Sequence, residues 1–379
     1  MPATSNQGSL SIGKSLRLAR KTIWISKMSE LEALMQDHYD LKCVHGESVL
    51  TQSGFTLIAT ICNEKYFLGE FLRHYRWLGV SRFLFVDDGS TDGSVEFCSE
   101  QSDVAIFTSE RYRYGDYLPS SIFETISSDG LKWRVQNMWK TKLMHDYCVD
   151  KWALVVDLDE FIVIPPRLNL TQVCGKLEAA GQIVALTPMV DVYPRTLEEL
   201  KRREVFSFGD AWYHDAVRHC SINKRRGIKN IYSGARARLI EQNGLGESLR
   251  PVKLRHRIRK LLRGNPPHFT HFNNLTKYSL IKWSSANVIF SSHRILGVEN
   301  TKVFTALPLL HFKFTHSVLK KTQEALQRRQ YWSGSTEYEI LQMLLVKMEE
   351  KGSEFTFTHS KATMTFDALQ EEKIAFWKL

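Results

Sequence analysis

The sequence predicts an α/β protein: a mostly parallel, doubly wound sheet flanked by helices, followed by a helical C-terminal region. Three observations lead there. Short β-branched apolar runs alternate with segments of helical period, as in FTLIATIC (Phe55–Cys62), then Phe67, Leu68, Phe71, Leu72 and Tyr75 at helical spacing, then Arg82–Val86. Each run ends in turn-forming polar residues, Asn63-Glu64 after the first and Asp87-Asp88-Gly89-Ser90-Thr91-Asp92-Gly93 after the second. A chain of 379 residues with 43% hydrophobic and 11% aromatic content also has ample material for a large core.

Residues 1–53 are polar and basic around one amphipathic candidate, Ile25–Tyr39, and read as an N-terminal extension with a short packing helix. A catalytic-sized domain is expected over 54–315. Within it Gly79 stops the first helix, Asn63 is placed to cap it, and Val104–Phe107 makes a third strand. Tyr112–Gly130 reads as a polar, aromatic-bearing loop over a crevice. Helical spacing returns in Val135, Trp139, Leu143 and Tyr147, which leaves Gln136, Asn137 and Lys140 off the apolar stripe, toward either solvent or the crevice. A helix over Leu170–Ala180 and a strand over Gln182–Met189 follow, the strand delivering Asp191 just past its end. Residues 194–265 then turn polar and strongly basic, with Lys224-Arg225-Arg226, Arg236, Arg238 and the run Lys253–Arg263. In ALPLLHFKF (Ala306–Phe314), alternation puts His311 and Lys313 on one face. The tail, 316–379, is expected to pack as helices over Val318–Trp332, Thr336–Glu350 and Phe366–Leu379.

The totals narrow the function classes. No run approaches the roughly 20 apolar residues of a spanning helix, and the N-terminus lacks a secretory apolar stretch, so the expected address is the cytoplasm. Six scattered cysteines without a C-x-x-C pair favour reduced, buried thiols over a disulfide frame or zinc site. A formal charge of +10 suits phosphate-bearing ligands, an anionic membrane surface or nucleic acid. No recognised nucleic-acid module accompanies it, so nucleic acid is not an expected partner. Neither G-x-G-x-x-G nor G-x-x-x-x-G-K-[ST] is present, so phosphate binding has to rest on metal and basic side chains.

The chain is organised around Trp152–Pro165, WALVVDLDEFIVIP. In an extended chain Asp157 and Asp159 share a face and Leu158 points to a core, which makes a two-carboxylate claw suited to a hard divalent cation. A strand running into an acidic turn would show the same letters. The apolar runs on both sides favour the claw, because carboxylates between buried segments are costly unless paired or metal-bound. Asn63, Asp87, Asp88 and the Asp157/Asp159 pair each end a strand, and in an open parallel sheet such ends converge on one crevice. Asp159, farther out, is the sharper candidate for direct metal contact. Asp157 is expected to reach the ion through water or to touch a ribose, and Glu160, on the opposite face, to support from behind.

In this order, FTLIATICNEKY, FVDDGSTDG, WALVVDLDEF and LLHFKF resemble the bacterial family 2-like glycosyltransferases with the glycosyltransferase A fold, over about residues 55–335. The resemblance implies a metal-dependent, inverting transfer of a sugar from a nucleotide-sugar, with UDP-sugar the first guess, to a hydroxyl of a cell-surface glycan or lipid-linked precursor. It implies that the segment ending at Asn63 cradles the base and that Asp87 and Asp88 hold base or ribose. Asp157 and Asp159 would bridge Mn²⁺ or Mg²⁺ to the diphosphate, with Arg236 or Arg238 assisting and His311 as a further metal ligand, ahead of His293. An inverting enzyme also needs a carboxylate base. The family's usual Glu-Asp pair opening a helix is not evident, so Asp191 is chosen over Asp215 because it follows a strand end. Residues 194–265 become the acceptor-side insert. Two other readings stand beside this one. A sugar-phosphate nucleotidyltransferase would carry a glycine- and basic-rich loop after the first strand, which FTLIATICNEKYF lacks. A non-catalytic glycan- or membrane-binding module would use the basic 218–263 region, placing the chain peripherally at the inner face of a membrane.

Overall fold

FTLIATI is apolar on both faces, and in the computed structural model it is the strand on which the sheet is built, with every residue buried. The structure describes residues 30–118, 133–225, 227–245, 274–298, 301–328 and 332–379. The described residues begin with helix α1 (30–38), strand β1 (Lys42–His45) and the short α2 (Glu47–Leu50). Then come β2 (Phe55–Ile61), α3 (Lys65–Trp77), β3 (Val80–Asp87), α4 (Ser94–Ser99) and β4 (Val104–Thr108). After α5 (Val135–Tyr147) follow β5 (Trp152–Val155), β6 (Glu160–Ile162), α6 (Leu170–Ala179) and β7 (Thr187–Tyr193).

The first sheet has the order β1-β4-β3-β2-β5 and then a later strand, β12 (Leu280–Lys282). Its four inner strands are parallel, and β1 and β12 close the edges antiparallel. The chain steps outward from β2 to β3 to β4 and then returns to the other side of β2 as β5. That reversal makes the β2/β5 junction the switch point, where crevices form in such sheets. Alternate residues feed two cores. Leu57, Ala59 and Ile61 face α3, whereas Ile58 with Leu84 and Val86 faces the Val135, Met138 and Trp139 side of α5.

The alternating pattern gives no sign of a second sheet, yet one is present. Beyond β7 lie α7 (Leu197–Arg202), β8 (Tyr213–Asp215), the β9–β10 hairpin (Cys220–Asn223 and Gly227–Asn230) and α8 (Gly234–Gln242). Next come β11 (Thr276–Lys277), the β13–β14 hairpin (Val288–Ser291 and Arg294–Leu296) and β15 (Leu309–His311). The chain finishes with α9 (Ser317–Arg328), α10 (Trp332–Lys351), β16 (Ser360–Lys361) and α11 (Phe366–Glu371). The order β16-β8-β7-β15-β6 makes a mixed sheet, with only β7 and β15 parallel, and β11 adds to β7. The first two tail helices fall near their expected places, the third stops at Glu371 instead of reaching Leu379, and β16 is an addition.

Two expectations change. Part of the N-terminal extension is sheet edge, since β1 pairs with β4, and residues 1–29 lie outside the described residues. The described part of the 194–265 insert is packed structure: α8 sets Ala235, Leu239 and Ile240 against Leu341, Leu344 and Met348 of α10. The basic run Lys253–Arg263, the candidate for membrane contact, lies outside the described residues, as does most of the Tyr112–Gly130 loop. Among the described residues no helix is long and apolar enough to cross a membrane.

Burial also sets a pH dependence. Desolvation pushes His74 and His219 down to about 4, against hydrogen bonds to the carbonyls of Ile162 and Val217. Between that value and the ordinary 6.5 the unfolded chain binds protons that the folded one refuses, so stability is full above 6.5 and falls as pH drops. His219, fully buried, sets a slope of about 1.4 kcal/mol per pH unit. Urea midpoints should fall from pH 7 to 5, and less steeply in His219→Gln. A midpoint flat over that interval would contradict this account.

Candidate metal and anion site at the carboxyl end of the sheet

Asp157-Leu158-Asp159 is a tight turn between β5 and β6, with Glu160 N–H donating to the Asp157 carbonyl at 3.1 Å. Leu158 inserts into the core as alternation required. The carboxylates diverge, however, because the chain has left the extended conformation at the point where an alternation argument needs it. Asp157 Oδ1 accepts from Lys140 Nζ at 3.1 Å and Oδ2 from Lys277 Nζ at 2.8 Å. Burial works to raise its pKa, but the two ammonium groups hold it well below the ordinary carboxylate range. Lys277 also donates to Glu160, a buried carboxylate that desolvation keeps raised despite that partner. Glu160 turns back to accept the Asp157 N–H at 3.0 Å, so it shares the site instead of facing away.

Asp159 takes a different partner. Its Oδ2 lies 3.6 Å from His311 Nε2, and although burial opposes ionisation, His311 holds its pKa below the usual range. His311 sits between Glu160 on antiparallel β6 and Asp191 on parallel β7, one residue opposite each. Its Nδ1 lies 2.9 Å from Asp191 Oδ1, an N–H to carboxylate bond that fixes the ring and turns Nε2 toward Asp159. Burial would lower the imidazole, but Asp159 and Asp191 push it up to about 9.

Donor atoms of Asp159, Glu160 and His311 all lie within 4.8 Å of one another. A cation with bonds of about 2.1 Å needs neighbouring donors roughly 3–4 Å apart, which Asp159 and His311 satisfy. A histidine held through its other nitrogen by a carboxylate is also the common arrangement of a metal ligand. The residues therefore fit a divalent ion at Asp159 and His311, with Glu160 committed to Lys277 close behind. Asp157 fits less well, since both its oxygens already carry ammonium partners.

The other residues that the sequence singles out separate into those the structure brings here and those it sends elsewhere. Asn63, at a left-handed φ of 57°, accepts from Thr91 N–H at 2.8 Å and donates to Glu324 of α9. Asp87 accepts from the N–H groups of Gly89 and Ser90 at 3.0 and 3.1 Å, shaping the turn, and Asp88 accepts from Tyr114 N–H at 2.9 Å. Tyr114 is near enough that the Asp157 charge joins burial in lifting its phenol. These strand ends are neighbours, with Ile61 opposite Asp87 and Ile58 opposite Val155.

Asp191 does not stand past a strand end. β7 runs on to Tyr193, and Asp191 is 2% exposed inside it, with Oδ2 accepting Arg236 N–H at 3.3 Å. Gly234 makes room for this: at φ 86°, an added Cβ would fall 2.6 Å from that carboxylate oxygen. Both oxygens of Asp191 are thus used in holding His311 and the start of α8, inside the strand and not past its end where the sequence put a base. Asp215 is 1% exposed and accepts from Tyr193, Tyr232 and both Nε and Nη2 of Arg238, at 2.9 and 2.8 Å for the arginine. Arg238 spends its other donors on Gln242 and the Phe355 carbonyl. This acid–arginine pair is buried internal structure. His293 binds the Thr276 carbonyl and, through desolvation, stays near 4.

Arg236 stays by the cluster, paired with Glu337 of α10. Two lysines join it. Lys313, on the His311 face, lies 3.4 Å from Glu337, and Lys321 of α9 holds Glu64 at 2.7 Å while its charge is felt by Asp159. Burial pushes Glu64 up to about 7 against the pull of Lys321. Alternation in LHFKF signals Lys313. Nothing local signals Lys277 or Lys321, which reach their partners across 120 and 257 residues. No family model matches the chain, and no curated protein sequence matches it.

Proposed function

We propose that the chain is a metal-dependent glycosyltransferase of the glycosyltransferase A type. It moves a sugar from a nucleotide-sugar, with a UDP-sugar the first donor to try, to a hydroxyl of a glycan or lipid-linked acceptor, with inversion. The observation that carries the reading is the Asp191–His311–Asp159 arrangement, a buried carboxylate aiming an imidazole nitrogen at a second carboxylate beside the switch point of a parallel sheet. Asp159 and His311 would hold Mn²⁺ or Mg²⁺, which when bound supplies Lewis-acid neutralisation of the departing diphosphate. Lys313, Lys321 and Arg236 supply fixed positive charge on the same side, where charge-assisted hydrogen bonds to phosphate are strong. Asp157, oriented by two lysines and partly exposed, is placed to accept a ribose hydroxyl, and the Asn63–Asp87 turn gives the base a rigid edge. Asp191 and Asp215 are buried and hydrogen-bonded internally, so in this reading another carboxylate would take the acceptor's proton.

A thermal-shift panel of nucleoside diphosphates and nucleotide-sugars, with and without Mn²⁺, tests this. Ligand at 100 times its Kd should add about 2.7 kcal/mol of stability. One nucleotide should do so only with metal present. If no nucleotide shifts the melting temperature under either condition, the reading is wrong.

A further inference from the structure

Asp157 also lines a crevice to which Asp159 and His311 do not contribute. It is small and open to solvent, and lies between α5, the end of β5 and the β13–β14 hairpin. Lys140, Lys277 and Arg294 line it against Asp157 as the carboxylate, so its wall is net positive. Lys140 and Lys277 are both buried. An ammonium has three N–H donors, and the bonds to Asp157 and Glu160 use one on Lys140 and two on Lys277, which leaves donors for a further oxygen. Ser279, Ser291 and Ser292 share the lining. Ser279 is 2% exposed and its Oγ has no hydrogen-bond partner among the described residues, an exceptional state for a buried hydroxyl and one that a ligand oxygen would relieve.

Lys140 and Lys277 face two carboxylates, Asp157 and Glu160, so Arg294 is the charge on this wall beyond that balance. Two buried ammonium groups with N–H donors to spare, an arginine on the wall and beside them a serine hydroxyl unpaired among the described residues together suit a group with several anionic oxygens. We propose that this crevice binds a carboxylate or phosphoryl group carried by a substrate of the chain, at a site separate from the Asp159–His311 metal corner. Only the identity of the bearer, an acidic sugar donor or an acidic acceptor, rests on the glycosyltransferase reading. Binding of the anion itself does not.

The test uses the full chain in EDTA without nucleotide, titrated with inorganic phosphate, glucuronate or, as a neutral control, glucose, and followed by thermal shift and calorimetry. Phosphate or glucuronate should bind in the millimolar range and glucose should not, the preferred anion telling a phosphoryl from a carboxylate bearer. The double variant Ser279→Ala/Arg294→Gln, which alters a hydroxyl without a partner among the described residues and an exposed side chain, should weaken binding roughly tenfold. Asp159→Ala should leave it unchanged. Absence of binding by both anions at tens of millimolar, or equal binding by the double variant, overturns the proposal. Anion binding that persists where no nucleotide binds at all would instead sink the transferase reading and leave this site standing.

Discussion

Asp159→Ala should abolish the metal-dependent stabilisation by nucleoside diphosphate, with at least a hundredfold loss of metal affinity, while the chain stays folded. Asp159 is a partly exposed turn residue whose side-chain contact is His311 at 3.6 Å, so removing it breaks no buried packing. Its effect should exceed that of Asp157→Asn, because the Asp157 oxygens are occupied by Lys140 and Lys277. Asp191→Asn makes the argument specific. A side chain that holds a ligand from behind typically changes metal affinity by about 10–100-fold, so this variant should fall between wild type and Asp159→Ala. Calorimetric titration with Mn²⁺ and the chosen nucleotide provides the ranking. Equal affinity in wild type and Asp159→Ala would remove the metal from this corner, and a larger loss for Asp157→Asn would return it to the pair expected from sequence.

The second large effect is on stability. Arg238→Ala should cost about 3–5 kcal/mol, the usual consequence of leaving one member of a buried ion pair without its counter-charge. Among the described residues the Asp215 carboxylate would keep the Tyr193 and Tyr232 hydroxyls alone, and Arg238 also leaves the Phe355 carbonyl that ties α8 to the chain after α10. Urea unfolding at pH 7 measures the loss. Adding Asp215→Asn should recover part of it, since the uncompensated charge goes while its shape remains. A cost below about 1 kcal/mol for Arg238→Ala would mean that the pair contributes no more than an exposed one. Had Arg238 served a phosphate, its loss would instead appear in nucleotide affinity at little cost in stability.

The chain's letters determined the local features: the runs that become β2, β3 and β5, the helix between the first two, and the polar residues that end each run. All follow from periodicity and turn chemistry within about ten neighbours. Parallel pairing, and with it the gathering of Asn63, Asp87, Asp88, Asp157 and Asp159 at one edge, was legible because strand–helix–strand repetition permits few topologies. The tertiary structure decided which charge meets which. Asp157 went to Lys140 and Lys277, while Asp159 went to His311, because the chain turns at Leu158 instead of running straight. Asp191 became the partner of His311 because it lies inside β7, where that strand pairs with β15, 120 residues away at the contact. Charge and position in the sequence point to Asp215 and Arg238 as site residues, and burial against Tyr193 and Tyr232 makes them structure. Side-chain alternation is a property of single strands, but the partner of a buried charge is set by strand register over long separations, and one residue of shift puts a different group in its place.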